Sequence, residues 1–448
     1  MPPTAPKGAN GLARWRLARG NIFAGLKASL YGAMMAELKT PLRNSYFIND
    51  PSLVKTTLQD RPDDFPKAVA IRNSLYDLLG DGVFVTNGEL WKQQRRLIDP
   101  AFEGGRLRDT FPAMVAAAEG CAARLSAKAG GEPIEIEFET SYVAADVIFR
   151  TLFSEPIESG EAQEVFQAFR RYQRAAPILS PLDIIDAPSW IPRPGRRAAR
   201  REGRAIRDLL GRYVKRRVAE IEAGTAPDDL ATKIMTAVDP VTGKKFNEAE
   251  MLDQVAIFFL AGHETSASAL AWALYLLACD TDTQEKVAAE AADGLSDPIA
   301  FGDVRALGFT RDVFRETLRL YPPVPIMVRE SAREEHFRNR RVAKKSMIFL
   351  SPWHLQRHDR FWKDPHVFDP GRWSRPEQAE SRRDAYMPFS AGPRVCTGAG
   401  FAMVEGVLLL SVLMRRLQLA PVNGRIPTPV TQLTVRSENG IWLYVNQR

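Results

Sequence analysis

Phe389-Ser390-Ala391-Gly392-Pro393-Arg394-Val395-Cys396-Thr397-Gly398 is the stretch that decides how this chain is read. One cysteine stands between two glycines, directly ahead of a segment, Gly398 to Leu417, whose apolar residues recur three and four apart. That spacing predicts a helix, so Cys396 sits in a tight turn at a helix N-terminus. Glycines there allow unusual backbone angles and close approach, and the N–H groups of the turn and helix favour a thiolate over a thiol. Such a sulfur serves as a nucleophile or a metal ligand; the plain alternative is an inert, buried thiol. The other cysteines, Cys121 and Cys279, lie too far along the chain for a CxxC clip or a disulfide framework. A single working thiol points to a reducing, cytoplasmic setting rather than secretion.

Outward from this loop, helical periodicity dominates: Glu161 to Arg174, Arg201 to Ala223, Glu248 to Cys279, Asp282 to Ala292 and Asp303 to Tyr321 all repeat apolar residues three and four apart. Strand-like pieces are short, namely Asn44 to Ile48, Arg341 to Leu350, and a C-terminal pair around the turn Ser437-Glu438-Asn439-Gly440. The expected fold is mainly α with small β-sheets (α+β). The chain has 448 residues, 45% hydrophobic and 26% charged, enough for a large core. No linker divides it, so residues 1–448 are read as one unit. Trp353 to Arg394 is long, Pro-rich and weakly periodic, and a loop of that size usually has a functional reason.

Lys plus Arg number 61 against 54 Asp plus Glu, a formal +7 that is modest for this length. The densest basic run, Arg193 to Arg207, has no interleaved aromatics and no nucleic-acid motif, so it is read as a solvated helix face and nucleic acid is not an expected partner. The most apolar stretch, Val255 to Cys279, is interrupted by His263 and Glu264, which excludes a transmembrane anchor. Asn21 to Ala36 follows several arginines like a signal peptide, but Lys27 breaks its centre and the spacing suits a first amphipathic helix.

FxxGxRxCxG, filled by Phe389, Gly392, Arg394, Cys396 and Gly398 and continuing into Phe401, Ala402 and Glu405, resembles the haem-binding loop of the cytochrome P450 family. The resemblance runs from about Ser45 to the C-terminus; the first forty residues match loosely. It implies that Cys396 is the axial thiolate of haem b, iron protoporphyrin IX, a ligand that pushes electron density to favour O–O cleavage. Glu316 and Arg319, three apart on one helix face, are similar to the family's ExxR and imply a structural triad with Arg372 of a PERF-type segment, where Gly371 and Trp373 depart from the usual residues. Gln356-Arg357-His358-Asp359 departs from the HRDP stretch, and no function is assigned to it. Buried carboxylates of haem need donors; the resemblance supplies Trp91 and Arg95 of a WxxxR helix, Arg329 and Arg394. Ala261-Gly262-His263-Glu264-Thr265-Ser266 is similar to the family's oxygen-binding stretch. There Thr265 bonds the carbonyl of Ala261, Gly262 leaves room for a diatomic ligand, Glu264 with Thr265 offers a proton route, and His263 has no role.

The implied activity is insertion of one oxygen atom of O2 into an apolar substrate such as a fatty acid, terpenoid or carotenoid. Electrons come from an external ferredoxin or flavodoxin with its reductase. Lys92, Arg96 and Arg382 are candidate contacts for such an acidic carrier. A peroxygenase driven by H2O2 and a non-catalytic haem-thiolate sensor are the alternatives; Glu264-Thr265 argues against the first and the absence of an effector segment against the second. Family position puts Phe84 (within Val69 to Phe84), Ile257, Phe258, Val324, Ile326, Met327 and Ile441 at the substrate pocket.

Overall fold

A run that is apolar on every side of a helix belongs at the centre of a protein, because no face of it gains from water. Glu248–Cys279 is such a run and forms one helix in the computed structural model, which describes residues 3–39, 43–103, 105–175, 182, 191, 195–431 and 434–448. Its start is fixed by Asn247, whose side chain accepts the Glu250 N–H while the Glu250 carboxylate accepts the Asn247 N–H. Around it stand the helices of the body, labelled α1 (Val69–Leu79), α2 (Gly88–Ile98), α3 (Arg106–Ser126), α4 (Ile136–Phe153), α5 (Gly160–Ala175), α6 (Arg196–Ala223), α7 (the central helix), α8 (Thr281–Gly294), α9 (Gly308–Leu320) and α10 (Ala399–Arg416). One large apolar cluster runs through them, with Phe149, Phe259, Trp272 and Leu410 fully buried. No helix among the described residues is long and apolar enough to cross a membrane.

The sheets sit beside this body. Four strands lie in the order β1 (Met35–Lys39), β2 (Asn44–Ile48), β7 (Met347–Leu350), β4 (Met327–Glu330), with β2 and β7 parallel and the other pairs antiparallel. The register sets Arg329 opposite Ile348, which brings a strand from just after α9 to the site described below. Three more form β3 (Ile134–Glu135), β11 (Trp442–Gln447), β8 (Leu417–Pro421), and β5 (Glu335–Phe337) with β6 (Arg340–Val342), and β9 (Pro429–Thr431) with β10 (Val435–Ser437), make separate pairs.

Mainly α with small sheets is the observed class, and four local expectations are corrected. Asn21 to Ala36 is not one helix: Ile22–Gly25 is helical, Lys27 is extended, Ala28–Tyr31 is a 3-10 turn, and β1 begins at Met35. Gly25 packs close against the helix Gly11–Gly20, where a Cβ would lie 2.6 Å from the Ala18 Cβ. Asp303 to Tyr321 splits into a 3-10 turn, Phe301–Arg305, and α9. Arg341 to Leu350 divides into β6 and β7. The strands flanking Ser437 to Gly440 do not pair with each other; β10 pairs with β9, and β11 with β8 and β3.

The basic run, whose Arg193 lies outside the described residues, keeps Arg196, Arg197, Arg200, Arg201 and Arg204 exposed, as a solvated helix face does, while some of its arginines also bind neighbouring helices. Arg196 donates to the Asn73 carbonyl, Arg200 pairs with Asp77 at 3.0 Å, and Arg207 donates to Leu78 and pairs with Asp253 at 2.7 Å. These arginines fasten α6 to α1 and α7.

Candidate active site

The cysteine loop is held by its own backbone. The Cys396 N–H donates to the Phe389 carbonyl at 2.9 Å, closing the turn, and Gly392 takes a left-handed φ of +70°. A Cβ at Gly392 would lie 2.0 Å from the Leu58 carbonyl oxygen, so only glycine fits. Gly398 has open space around it and caps α10 with an ordinary φ of −84°. Cys396 retains accessible surface, yet burial is the largest influence on its thiol and pushes the pKa up. Both hold for a sulfur at the wall of an internal hollow rather than on the outer surface. The Gly398 N–H and the Arg95 charge pull the other way and do not win. The turn's N–H and the Arg95 charge favour the thiolate, as the sequence reading expects, burial opposes them, and a coordinating metal deprotonates such a thiol outright.

Above one side of this loop stands a cluster of cations. Arg95 donates to the Val395 carbonyl at 2.8 Å and pairs with Asp99, and Thr397 also bonds Asp99. Arg394 donates to the Pro62 carbonyl at 2.6 Å and lies 3.6 Å from Asp63. Arg329, on β4, is buried with only a bond to the Val328 carbonyl. Trp91 collects them: the guanidiniums of Arg95 and Arg394 lie 5.9 and 5.0 Å from its ring centroid, and the Lys67 ammonium lies at 5.7 Å. Lys67 has no sequence signal and was missed. Its backbone bridges to Arg329, and its Nζ donates to the Val83 and Thr86 carbonyls at 2.7 and 3.2 Å. Burial and the charges of Arg329, Arg394 and Arg95 hold its pKa well below the usual lysine range. Burial and Arg394 lower that of Arg329 to about 10. The Nε atoms of Arg329 and Arg394 are buried without a partner. A protein strands cations and donors in this way only where an anion completes the site. With Asp63 and Asp99 set against Arg394 and Arg95, the cluster with a charged Lys67 carries two positive charges beyond its carboxylates. The residues thus fit a cofactor bearing two carboxylates next to the Cys396 sulfur.

On α7, Thr265 Oγ1 donates to the Ala261 carbonyl at 2.6 Å. Ala261 is exposed in the middle of this helix although Leu260, His263 and Glu264 are buried, so a second wall of open space lies here. Ser266 donates to Glu405 of α10 at 2.5 Å, clipping the Thr265 turn to the helix that follows Cys396. Burial pushes the Glu405 carboxyl up to about 8. Two details differ from the sequence reading. Gly262 does not leave room for a ligand: a Cβ there would lie 2.3 Å from Ile148 of α4, so the glycine permits close helix packing. Glu264 does not meet Thr265; it accepts from Arg436 and Thr434, both at 3.0 Å, residues of the C-terminal segment that no motif flagged. His263 is a core histidine, bonded to Ser141 at 2.7 Å, ringed by Phe166, Phe169 and Phe259, and lowered by burial to about 3.

Glu316, Arg319 and Arg372 meet with no exposed surface to speak of. Arg319 grips both carboxylate oxygens of Glu316 at 2.8 and 2.9 Å, and Arg372 reaches the same carboxylate at 3.2 Å. The remaining guanidinium donors take the carbonyls of Gln356, Pro365 and Val367 from Arg319, and of Lys363 and Asp364 from Arg372. These bonds, from Arg319 outside it and Arg372 within it, help to organise the weakly periodic 353–394 region.

Of the pocket candidates, Phe84 is exposed, Phe258, Val324, Ile326 and Met327 are half-buried, and Phe258 packs on Phe102 with ring centroids 5.7 Å apart. Ile257 and Ile441 lie in the main core; Ile441 has no accessible surface and its carbonyl accepts the Ile136 N–H, so it borders no opening. The cations considered for a carrier all have partners: Lys92 pairs with Glu89, Arg96 with Asp239, and Arg382 donates to the Arg372 and Arg375 carbonyls.

The cytochrome P450 family model matches residues 27–443. Over 396 residues the chain is 31% identical to cyclooctat-9-en-7-ol 5-monooxygenase of Streptomyces melanosporofaciens, covering 87% of this chain and 83% of that protein. Over 423 residues it is 28% identical to protein LUTEIN DEFICIENT 5, chloroplastic, of Arabidopsis thaliana, covering 90% and 70%. The crystal structure of a mutant cytochrome P450DA heme domain is similar in fold, with a TM-score of 0.78 at 24% identity over 93% of this chain and 90% of that one. With the match running from before the Trp91 helix to beyond the cysteine loop, the chain belongs to the cytochrome P450 family, monooxygenases that work with haem, O2, a hydrophobic substrate and a redox partner.

Proposed function

We propose that this P450 would hold haem b through the Cys396 sulfur and that it hydroxylates an apolar substrate of fatty-acyl, terpenoid or carotenoid size. The observation that carries the reading is the set of stranded cations around Trp91 beside the cysteine loop. When bound, haem supplies the activation of O2 and the transfer of one oxygen atom. The chain's own residues do the rest. Arg95, Arg329 and Arg394 orient the cofactor through its carboxylates, and Gly392, with Phe389 accepting from the Cys396 N–H, fixes the direction of the sulfur. Phe389 and Gly398 complete the turn. Glu316, Arg319 and Arg372 hold the segment beneath.

Proton supply falls to α7. Thr265 Oγ1 gives its hydrogen to the Ala261 carbonyl, which leaves its lone pairs free to accept a hydrogen bond from a water in the hollow and so hold that water where it can pass a proton on. Glu264 contributes once its carboxylate exchanges the Arg436 bond for water, since the two oxygens are otherwise engaged. Thr265→Ala is expected to leave haem content unchanged and lower product formed per reductant consumed by about tenfold, with peroxide making up the difference. Product and peroxide are measured against reductant in the same reaction, and an unchanged ratio removes Thr265 from the proton route.

Phe84, Phe258, Val324, Ile326 and Met327 give the hollow an apolar lining, and the similarity to a relative named for cyclooctat-9-en-7-ol supports a substrate of that bulk. Burial of apolar area is worth about 25 cal/mol per Å² before ordering costs, so a long terpenoid or fatty acid is expected to outbind a small polar aromatic by more than about tenfold. Ala261→Phe fills the exposed spot on α7 and is expected to weaken the large ligand most. A ligand panel read by the ferric spin-state shift checks both; strongest binding by the small polar aromatic withdraws the substrate class. For the electrons we favour a cytoplasmic ferredoxin or flavodoxin. The Lys92–Glu89 pair is a surface pair of little worth, which an acidic carrier readily displaces.

A further inference from the structure

Thr265, Ser268, Trp272, Tyr275 and Cys279 stand three and four apart along α7, so they share one face of the central helix from the hollow to its C-terminus. Ser268 Oγ and Trp272 Nε1 donate to the same carbonyl, that of Val435, at 2.7 and 3.0 Å. Trp272 is fully buried and lies two turns beyond Thr265, about 10 Å of helix rise. Its indole is stacked on Tyr321 with ring centroids 4.0 Å apart, and its centroid lies 6.1 Å from that of Tyr275. Tyr275 is half-buried with its hydroxyl against the sulfur of Cys279, and Cys279 is exposed. Indole, phenol and thiol are the side chains that most readily give up one electron, and here they follow one another from the hollow to solvent. The side branch is closed electrostatically. Tyr321 leads on to Trp353, with ring centroids 6.0 Å apart, but the Arg357 guanidinium lies 3.7 Å from the Trp353 centroid and 5.5 Å from that of Tyr321. A buried cation there raises the cost of a positive charge on either ring.

Resting on the haem site assigned above, we propose that this stripe conducts electrons from a small thiol in solution to the haem pocket, a second activity in which hydrogen peroxide from uncoupled turnover is reduced to water. The balance is that one H2O2, the Cys279 thiol and one free thiol give a mixed disulfide at Cys279 and two H2O. Trp272 and Tyr275 pass the first electron inward, and Cys279 replaces it while its proton goes to solvent. The sulfur radical then joins the free thiolate, and the disulfide radical anion so formed, a strong reductant, sends the second electron along the same route. The two protons released by the thiols are those that the two waters take up. A second free thiol restores Cys279 by exchange.

Substrate-free holoprotein is mixed with stoichiometric H2O2 and glutathione. Peptide mass spectrometry reads the mixed disulfide at Cys279, absorbance reads haem loss, and electron paramagnetic resonance of rapidly frozen samples reads radicals. Tyr275→Phe and Trp272→Phe are each expected to lower the mixed disulfide by about tenfold and to raise haem loss, although neither changes the thiol itself. Cys279→Ser closes the outlet, so an aromatic radical is expected to accumulate, and adding Tyr275→Phe to that background is expected to alter its signal. A wild-type yield of mixed disulfide in Tyr275→Phe means that peroxide oxidises the sulfur directly from solution, and it overturns the proposal. Absence of an aromatic radical in Cys279→Ser does the same. Tyr275→Phe keeps the ring, so these two results decide even if Trp272→Phe fails to fold. The haem site fails separately: a reduced, CO-treated spectrum without thiolate ligation, in protein whose Cys279 disulfide still depends on Tyr275, reassigns the axial ligand and leaves the electron path standing.

Discussion

Glu316→Ala is expected to yield protein that accumulates poorly and carries almost no haem. The carboxylate is fully buried and answers two guanidiniums, Arg319 and Arg372, as well as the Asp369 N–H at 3.1 Å. Its removal leaves two buried positive charges with carbonyls alone for company. Breaking a buried pair from one side costs about 3 to 5 kcal/mol, a large share of the roughly 5 to 15 kcal/mol that holds a domain together. The loss falls on the 353–394 region, because the same guanidiniums carry its backbone carbonyls, and that region leads into the cysteine loop. Glu316→Gln keeps the shape and part of the bonding and is expected to lie between the two. Soluble yield, melting temperature and haem per chain are the measurements. A stable, fully loaded Glu316→Ala enzyme that is merely slow contradicts the structural assignment.

The cysteine loop was legible because its chemistry demands fixed residue types at fixed spacing: Gly392 has no alternative beside the Leu58 carbonyl, and Cys396 must stand where the turn meets α10. The central helix was legible to the residue, since apolar residues recur three and four apart from Glu248 to Cys279. What escaped is what depends on distant chain segments. Lys67 looks like any lysine until a bridge to Arg329 and the turn of α2 surround it with arginines. Arg436 finds Glu264 across 172 positions of sequence, and Ser266 finds Glu405 across 139. The role given to Gly262 was misjudged for the same reason, as the neighbour that forbids a Cβ, Ile148, lies on another helix. Short strands near the C-terminus were seen but mispaired, because the partners of β10 and β11 are chosen by tertiary packing and not by the turn between them.

Cys396→His carries the other large effect. Burial raises the pKa of the free thiol at this position, and a haem iron held there would be ligated by the Cys396 thiolate, a strong donor of negative charge. A neutral imidazole in its place still ligates but donates far less charge, and the loop that Gly392 and Phe389 fix gives the replacement no other partner. Haem is expected to be retained in part, turnover to vanish, and the spectrum to change class. The direct measurement is the absorption spectrum of the reduced, CO-treated protein. Wild type is expected to show the long-wavelength band that thiolate ligation produces, and Cys396→His to show only the shorter-wavelength band of a histidine-ligated haem. A long-wavelength band that survives unchanged in Cys396→His would mean that another group binds the iron and that the account of this site is wrong.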